Sequence, residues 1–298
     1  MEFSRLNVLR RYTTDTEVKQ IDLPIDPISH LIFTIDGLNA TDESTLAEIL
    51  GFVNNINVSR MGKTIFDLES EDIYALNCYI QGKQPMLTAK LATDNLHRAL
   101  ALVIPFGRRL FDPNEALPAT KKGELTLSLD TTVPATTFDG STINVQAVTM
   151  PGASPKQHLK CTHRALSAPG GTGAYQIDIP IGNQVAMIGF RLTTFPAASS
   201  HAFGINNFSI LKNNKEAHFV SSDILALLAD MSKYVVNQIG TLAAQTAYVP
   251  DNTIFLDFDP DKDGKWLLET KGLSSCVVEA DYGVNEAQTI FFAELEQN

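Results

Sequence analysis

The sequence predicts an all-β protein of two tandem β-sandwiches related by internal duplication. Three observations predict it: short blocks recur in order about a domain length apart, apolar residues alternate with period two, and helical spacing is confined to short stretches.

The recurring blocks are specific. Gln20-Ile21-Asp22-Leu23-Pro24-Ile25 returns as Gln176-Ile177-Asp178-Ile179-Pro180-Ile181. Asn54-Asn55-Ile56-Asn57-Val58-Ser59-Arg60 returns as Asn206-Asn207-Phe208-Ser209-Ile210-Leu211-Lys212, and Ser70-Glu71-Asp72-Ile73-Tyr74-Ala75-Leu76 as Ser221-Ser222-Asp223-Ile224-Leu225-Ala226-Leu227. The offsets are 156, 152 and 151, a domain length and not a solenoid period. The turn-rich Met150-Pro151-Gly152-Ala153-Ser154-Pro155 divides the copies, so residues 1–152 form one unit and 153–298 the other.

Strands follow from alternation. Leu31, Phe33 and Ile35 alternate with polar or outward positions, as do Leu125, Leu127 and Leu129, then Ile143, Val145 and Ala147. Ile177, Ile179 and Ile181 repeat the pattern in the second copy, followed by Ile254, Leu256 and Phe258. Leu46, Ile49, Leu50 and Val53 have helical spacing after the cap-rich Thr41-Asp42-Glu43-Ser44. Ser70 caps a short helix carrying Ile73 and Leu76, and Ser221 or Ser222 caps its counterpart carrying Ile224, Leu227 and Leu228. Strands, a short helix and strands, twice over, describe a duplicated sandwich with Greek-key connections.

Composition narrows the function. Lys plus Arg number 23 and Asp plus Glu 34, a formal charge of −11, which disfavours a reader of nucleic-acid phosphates. The longest apolar run, Ala99 to Phe106, is too short to span a bilayer, and no apolar leader follows Arg10 and Arg11. Cys78, Cys161 and Cys276 are odd in number and widely spaced, and read as reduced, mostly buried thiols.

At this point the residues resemble a known family. The Asp-Leu-Pro-Ile strand, the hairpin from Asn54 through Arg60 to Gly62-Lys63, the Ser70–Leu76 helix and Ile104-Pro105-Phe106-Gly107-Arg108 look like double-jelly-roll major capsid proteins of tailless icosahedral viruses. The similarity runs through both halves, and the specificity comes from duplication, length and strand content together. The resemblance implies two jelly rolls side by side, a homotrimer forming a pseudo-hexagonal capsomer, contacts with neighbouring capsomers and minor capsid proteins, a place in the virion shell, and no catalysis. Many such shells enclose a membrane.

Asp259, Asp261 and Asp263 have the spacing of a Ca2+ loop, but the twelfth position is Thr270 where an EF-hand needs glutamate; an acidic, glycine-terminated turn fits the same residues. Phe3, Leu6 and Leu9 beside Arg5, Arg10 and Arg11 form a short amphipathic arm suited to anionic lipid or a neighbouring subunit. Cys161 and His163 share a strand face without a visible third catalytic group, and Asp94 with Glu115 or Asp112 offers carboxylates of unfixed separation. A carbohydrate-binding or carbohydrate-active double sandwich is the alternative function, though Trp266 is the sole tryptophan available as a sugar platform.

Overall fold

The computed structural model describes residues 2–40, 44–88, 96–132, 137–193, 204–221, 239–240, 249–250 and 252–298. Its first half contains β1 (Ser4–Thr13), β2 (Glu17–Asp22), β3 (Ile28–Asn39), α1 (Leu46–Leu50), β4 (Val53–Arg60), β5 (Lys63–Glu69), α2 (Ser70–Gln81), β6 (Met86–Leu87), β7 (His97–Pro105), β8 (Leu125–Thr131) and β9 (Phe138–Thr149). The second half contains β10 (Gln157–Leu166), β11 (Gly173–Asp178), β12 (Gln184–Leu192), β13 (Ile205–Lys212), β14 (Lys215–Ser221), β15 (Ile239–Gly240), β16 (Val249–Pro250), β17 (Thr253–Asp257), β18 (Leu268–Glu269), β19 (Cys276–Tyr282) and β20 (Gln288–Gln297).

Both halves have the same strand order. In the first, β1-β9-β3-β7 forms one sheet, with β6 beyond β7, and β2-β8-β4-β5 forms the other. In the second, β10-β20-β12-β17 and β11-β19-β13-β14 repeat those two orders strand for strand. Pro24 and Pro180 occupy matching places, each two residues past the end of β2 or β11. One strand pairing makes a sheet continuous across the halves: β10 lies parallel to β5, with Cys161 opposite Phe66 and Thr162 opposite Asp67.

Alternation accounts for most strands. In β3, Leu31, Phe33 and Ile35 are fully buried while Ile32, Thr34 and Asp36 are half-buried, the pattern of a sheet with one face on the core. In β20, both faces are buried. Ile290 and Phe292 point into the second core, whereas Phe291, Ala293 and Leu295 join the first. Its apolar run has no polar alternation because the strand lies between two packed layers.

Several local expectations shift. The strand through Ile177 ends at Asp178, because Pro180 has no amide to donate; Ile181 is 47% exposed. Helix α1 is a single turn capped by Thr45, whose side chain accepts from Glu48 N while Glu48 accepts from Thr45 N, and Val53 already belongs to β4. Ser70 is inside α2; Glu69 is the N-cap, and Ser70 Oγ donates to Leu50 O at 2.9 Å. The helix expected after Ser221, with Asp223, Ile224, Leu227 and Leu228, lies outside the described residues, as does Asp94.

The N-terminal arm is a strand. Residues 4–13 pair antiparallel with β9, and ladder irregularities between Asn7 and Leu9 and between Leu9 and Tyr12 disturb the alternation. Arg11, at φ +47°, marks the second of these and donates its amide to Asn144 Oδ1 at 2.9 Å. Those bulges give the apolar residues a spacing that looks helical in the sequence.

Candidate assembly interface

The seam between the sandwiches is built around α2. Glu71 and Asp72 in its first turn suit the positive end of the helix dipole, and Gly82 closes it at φ +64°. From Asp72 to Ile80 every residue is buried, so the helix is covered all round. Asn77 straps it to the edge of β7, donating to Val103 O and accepting from Val103 N, both at 2.7 Å. On the opposite side the Tyr79 ring lies 3.7 Å from that of Phe255 in β17, and Phe255 meets Phe291 edge-on at 5.3 Å. The helix of the first sandwich thus packs on the outer sheet face of the second.

Three ionic clusters flank this packing. Arg191 on β12 reaches Asp72 Oδ1 through Nε at 2.6 Å, Glu71 Oε2 through Nη1 at 3.0 Å, and Glu69 through Nη2. Asp72 is fully buried, and its Oδ2 has no hydrogen-bond partner. Burial raises the Asp72 pKa to about 6 despite the facing guanidinium, whose charge is shared among three carboxylates. Burial also works against the Arg191 charge, but the three carboxylates outweigh it and raise the guanidinium's pKa.

The second cluster joins Arg108 to Glu115 and to Asp259 from the other half. Gln157 Nε2 adds a bond to Glu115 Oε1 at 2.9 Å. Burial opposes the Glu115 charge, but the Arg108 hydrogen bonds and charge prevail and hold its pKa below the ordinary value. Gly107 lets this loop close, since a Cβ there would run into the Glu115 carbonyl. The third cluster sets Lys63 2.5 Å from Glu296, with Lys160 at 3.8 Å from Glu294 and 3.9 Å from Glu296. Directional contacts of this kind fix one body's rotation on another, where apolar packing alone tolerates sliding.

The residues named from sequence fall as follows. Asp259, Asp261 and Asp263 do not converge. Asp259 is buried against Arg108 and accepts from Gly264 N at 2.8 Å, while Asp263 pairs with Lys265 at 2.5 Å. The Asp261 carbonyl accepts from Arg109 Nη2 at 3.0 Å. Among the described residues no three His, Cys, Asp or Glu side chains are grouped to hold a metal ion, and the loop's inward carboxylate is engaged by Arg108 at the seam. Arg5, Arg10 and Arg11 are exposed along β1. Cys161 is buried on the seam, and His163 Nδ1 lies 2.8 Å from Asp67 O. The three cysteines are free and buried. Trp266 is 68% exposed.

Sequence reasoning missed Arg191, Glu69 and Tyr79. One signal was present: Arg191 is a lone charge ending the apolar run Val185–Phe190, which calls for a carboxylate partner.

No protein-family model matches the chain, and no curated protein sequence does. Solved structures do match. The STIV major capsid protein superposes with a TM-score of 0.74 at 13% identity, over 99% of this chain and 97% of that one. This is the double jelly-roll fold. The major capsid protein P2 of bacteriophage PM2 gives a TM-score of 0.66 at 14% identity, over 100% of this chain and 98% of that chain. The PBCV-1 virus capsid gives 0.63 at 10% identity, over 99% and 93%. The double jelly roll therefore spans nearly the full length of each neighbour, and α2, the three ionic clusters and the β5–β10 pairing join its two rolls.

Proposed function

We propose that the chain is the structural major capsid protein of an icosahedral virion, acting as a rigid pair of rolls that assembles into trimeric capsomers. The observation that carries this reading is the superposition of nearly the whole chain on nearly the whole of two major capsid proteins. A second supports it: the buried charges at the seam are engaged with one another, which suits a part whose work is geometric. Two rolls per chain and three chains supply six similar sides, so a three-fold object can fill six-coordinated lattice positions and close a shell. Minor capsid proteins and an enclosed lipid surface are further contacts under this reading. No observation favours the carbohydrate-binding alternative.

A charge of −11 per chain makes capsomers repel one another, so lattice growth should rise with salt. Light scattering and negative-stain imaging of the purified protein test the proposal. A mass of three chains and particles of hexagonal outline are expected. A mass of one chain at high concentration, independent of salt, would overturn it.

A further inference from the structure

The duplication gives each roll the same two strand edges, and among the described residues only one pair of them is used. Inside the chain, the first strand of roll two, β10, lies beside the last strand of the second sheet of roll one, β5. The counterparts of these strands are β14 and β1, each the outermost strand of its own sheet among the described residues. We infer that β1 of one chain pairs in parallel with β14 of a second copy, repeating the internal contact between subunits. This rests on the trimer reading above and gives it a specific interface.

Exposure supports the assignment. On β10, where the contact is made, His158, Leu159 and Cys161 are buried. On β1, Arg5, Leu6 and Asn7 are exposed, Leu6 by 41%. The outer sheet faces differ in the same sense. Roll two presents buried Met187, Phe291 and Ala293 to the helix that covers it, whereas roll one presents half-buried Ile32, Thr34, Asn144 and Gln146. A mixed apolar and polar face suits a contact between subunits, and a continuous apolar one suits a core.

The edge itself is arranged for a short pairing. From Ser4 to Asn7 the ladder with β9 runs without a break, while beyond it the two irregularities and Arg10 and Arg11 protect the rest of the strand. The internal pairing, at two residue pairs, is shorter still and fits within that stretch. Register follows from shared ladder partners. Phe66 lies opposite Val58 and His218 opposite Ile210, at matching positions of the recurring hairpin. Thr162 lies opposite Phe292 and Leu6 opposite Ala147; these in turn face Ile188 and Leu31, which both point into their own roll's core. The two match once the bulge between Val185 and Met187 adds one residue to the offset of 156. Leu6 should therefore lie opposite Phe219 of the neighbouring copy, and Arg5 opposite His218.

Cysteine pairs test this in the full chain, since the three native thiols are buried. Neighbouring strands bring opposite Cα atoms to roughly 5 Å, within disulfide reach. Under mild oxidation Leu6→Cys with Phe219→Cys should give a covalent ladder ending at three chains, and each single variant should give none. Arg5→Cys with His218→Cys provides a second pair should the first disturb folding. A scattering mass of three chains with neither pair cross-linking would overturn the strand pairing and leave the trimer standing. A mass of one chain would overturn both.

Discussion

Arg191 Nε lies 2.6 Å from Asp72 Oδ1, joining residues 119 positions apart across the seam of the two rolls. The pair sits where the first turn of α2 meets β12, with Glu69 and Glu71 on the same guanidinium. Its neighbours tie the angle between the rolls to one side chain.

Arg191→Met should therefore destabilise the chain by about 3–5 kcal/mol at pH 7, the cost typical of stranding one member of a buried ion pair. Adding Asp72→Asn should recover much of that loss, because the stranded charge goes with it. Urea unfolding of the single and double variants measures both; equal instability of the two would show that packing, and not charge, is lost.

The pH dependence of this site has a definite sign. Asp72 has a pKa of about 6 in the folded chain against 3.8 for a free aspartate side chain, a rise caused by burial. Between those values the folded state binds a proton that the unfolded state releases, so the group's contribution is fully present below pH 4. It falls as pH rises through about 6, by up to about 3 kcal/mol. Wild-type stability minus that of Asp72→Asn should decline over this window and level off above it. A rising difference would mean that Arg191 outweighs burial.

Gly189 lies under the Phe291 ring, where an added Cβ would collide with three ring atoms. Gly189→Ala should cost about 1–3 kcal/mol by overpacking, and Phe291→Leu in the same chain should relieve part of it. Thermal unfolding of the variants checks this, and an unchanged melting temperature for Gly189→Ala would count against tight packing of β20.

The acidic loop should not respond to calcium. Asp259 is held by Arg108 and Asp263 by Lys265, so a cation would have to break both pairs to recruit three carboxylates. Millimolar calcium should leave the melting temperature of wild type and of Asp261→Asn unchanged. A rise abolished by Asp261→Asn would restore the metal site.

Local pattern made much of the double jelly roll legible. Alternation marks β3, β8 and β9 because each has one face on a core, and the recurring hairpin marks β4 with β5 and β13 with β14. It failed where neighbours in space override neighbours in sequence. Bulges disturb the alternation that would mark β1 as a strand, and burial on both faces removes it from β20. The seam was legible only in fragments. Arg108 stood out as the end of the Ile104–Arg108 segment and Asp259 as a possible metal ligand, yet they are partners 151 residues apart.

The sequence by itself determined the duplication, the all-β class and the places of most strands, since these are written in residues a few positions apart. The tertiary structure alone decided the partner of each charge and how the rolls lock together. A buried arginine demands a carboxylate, but which one depends on the path the backbone takes through space.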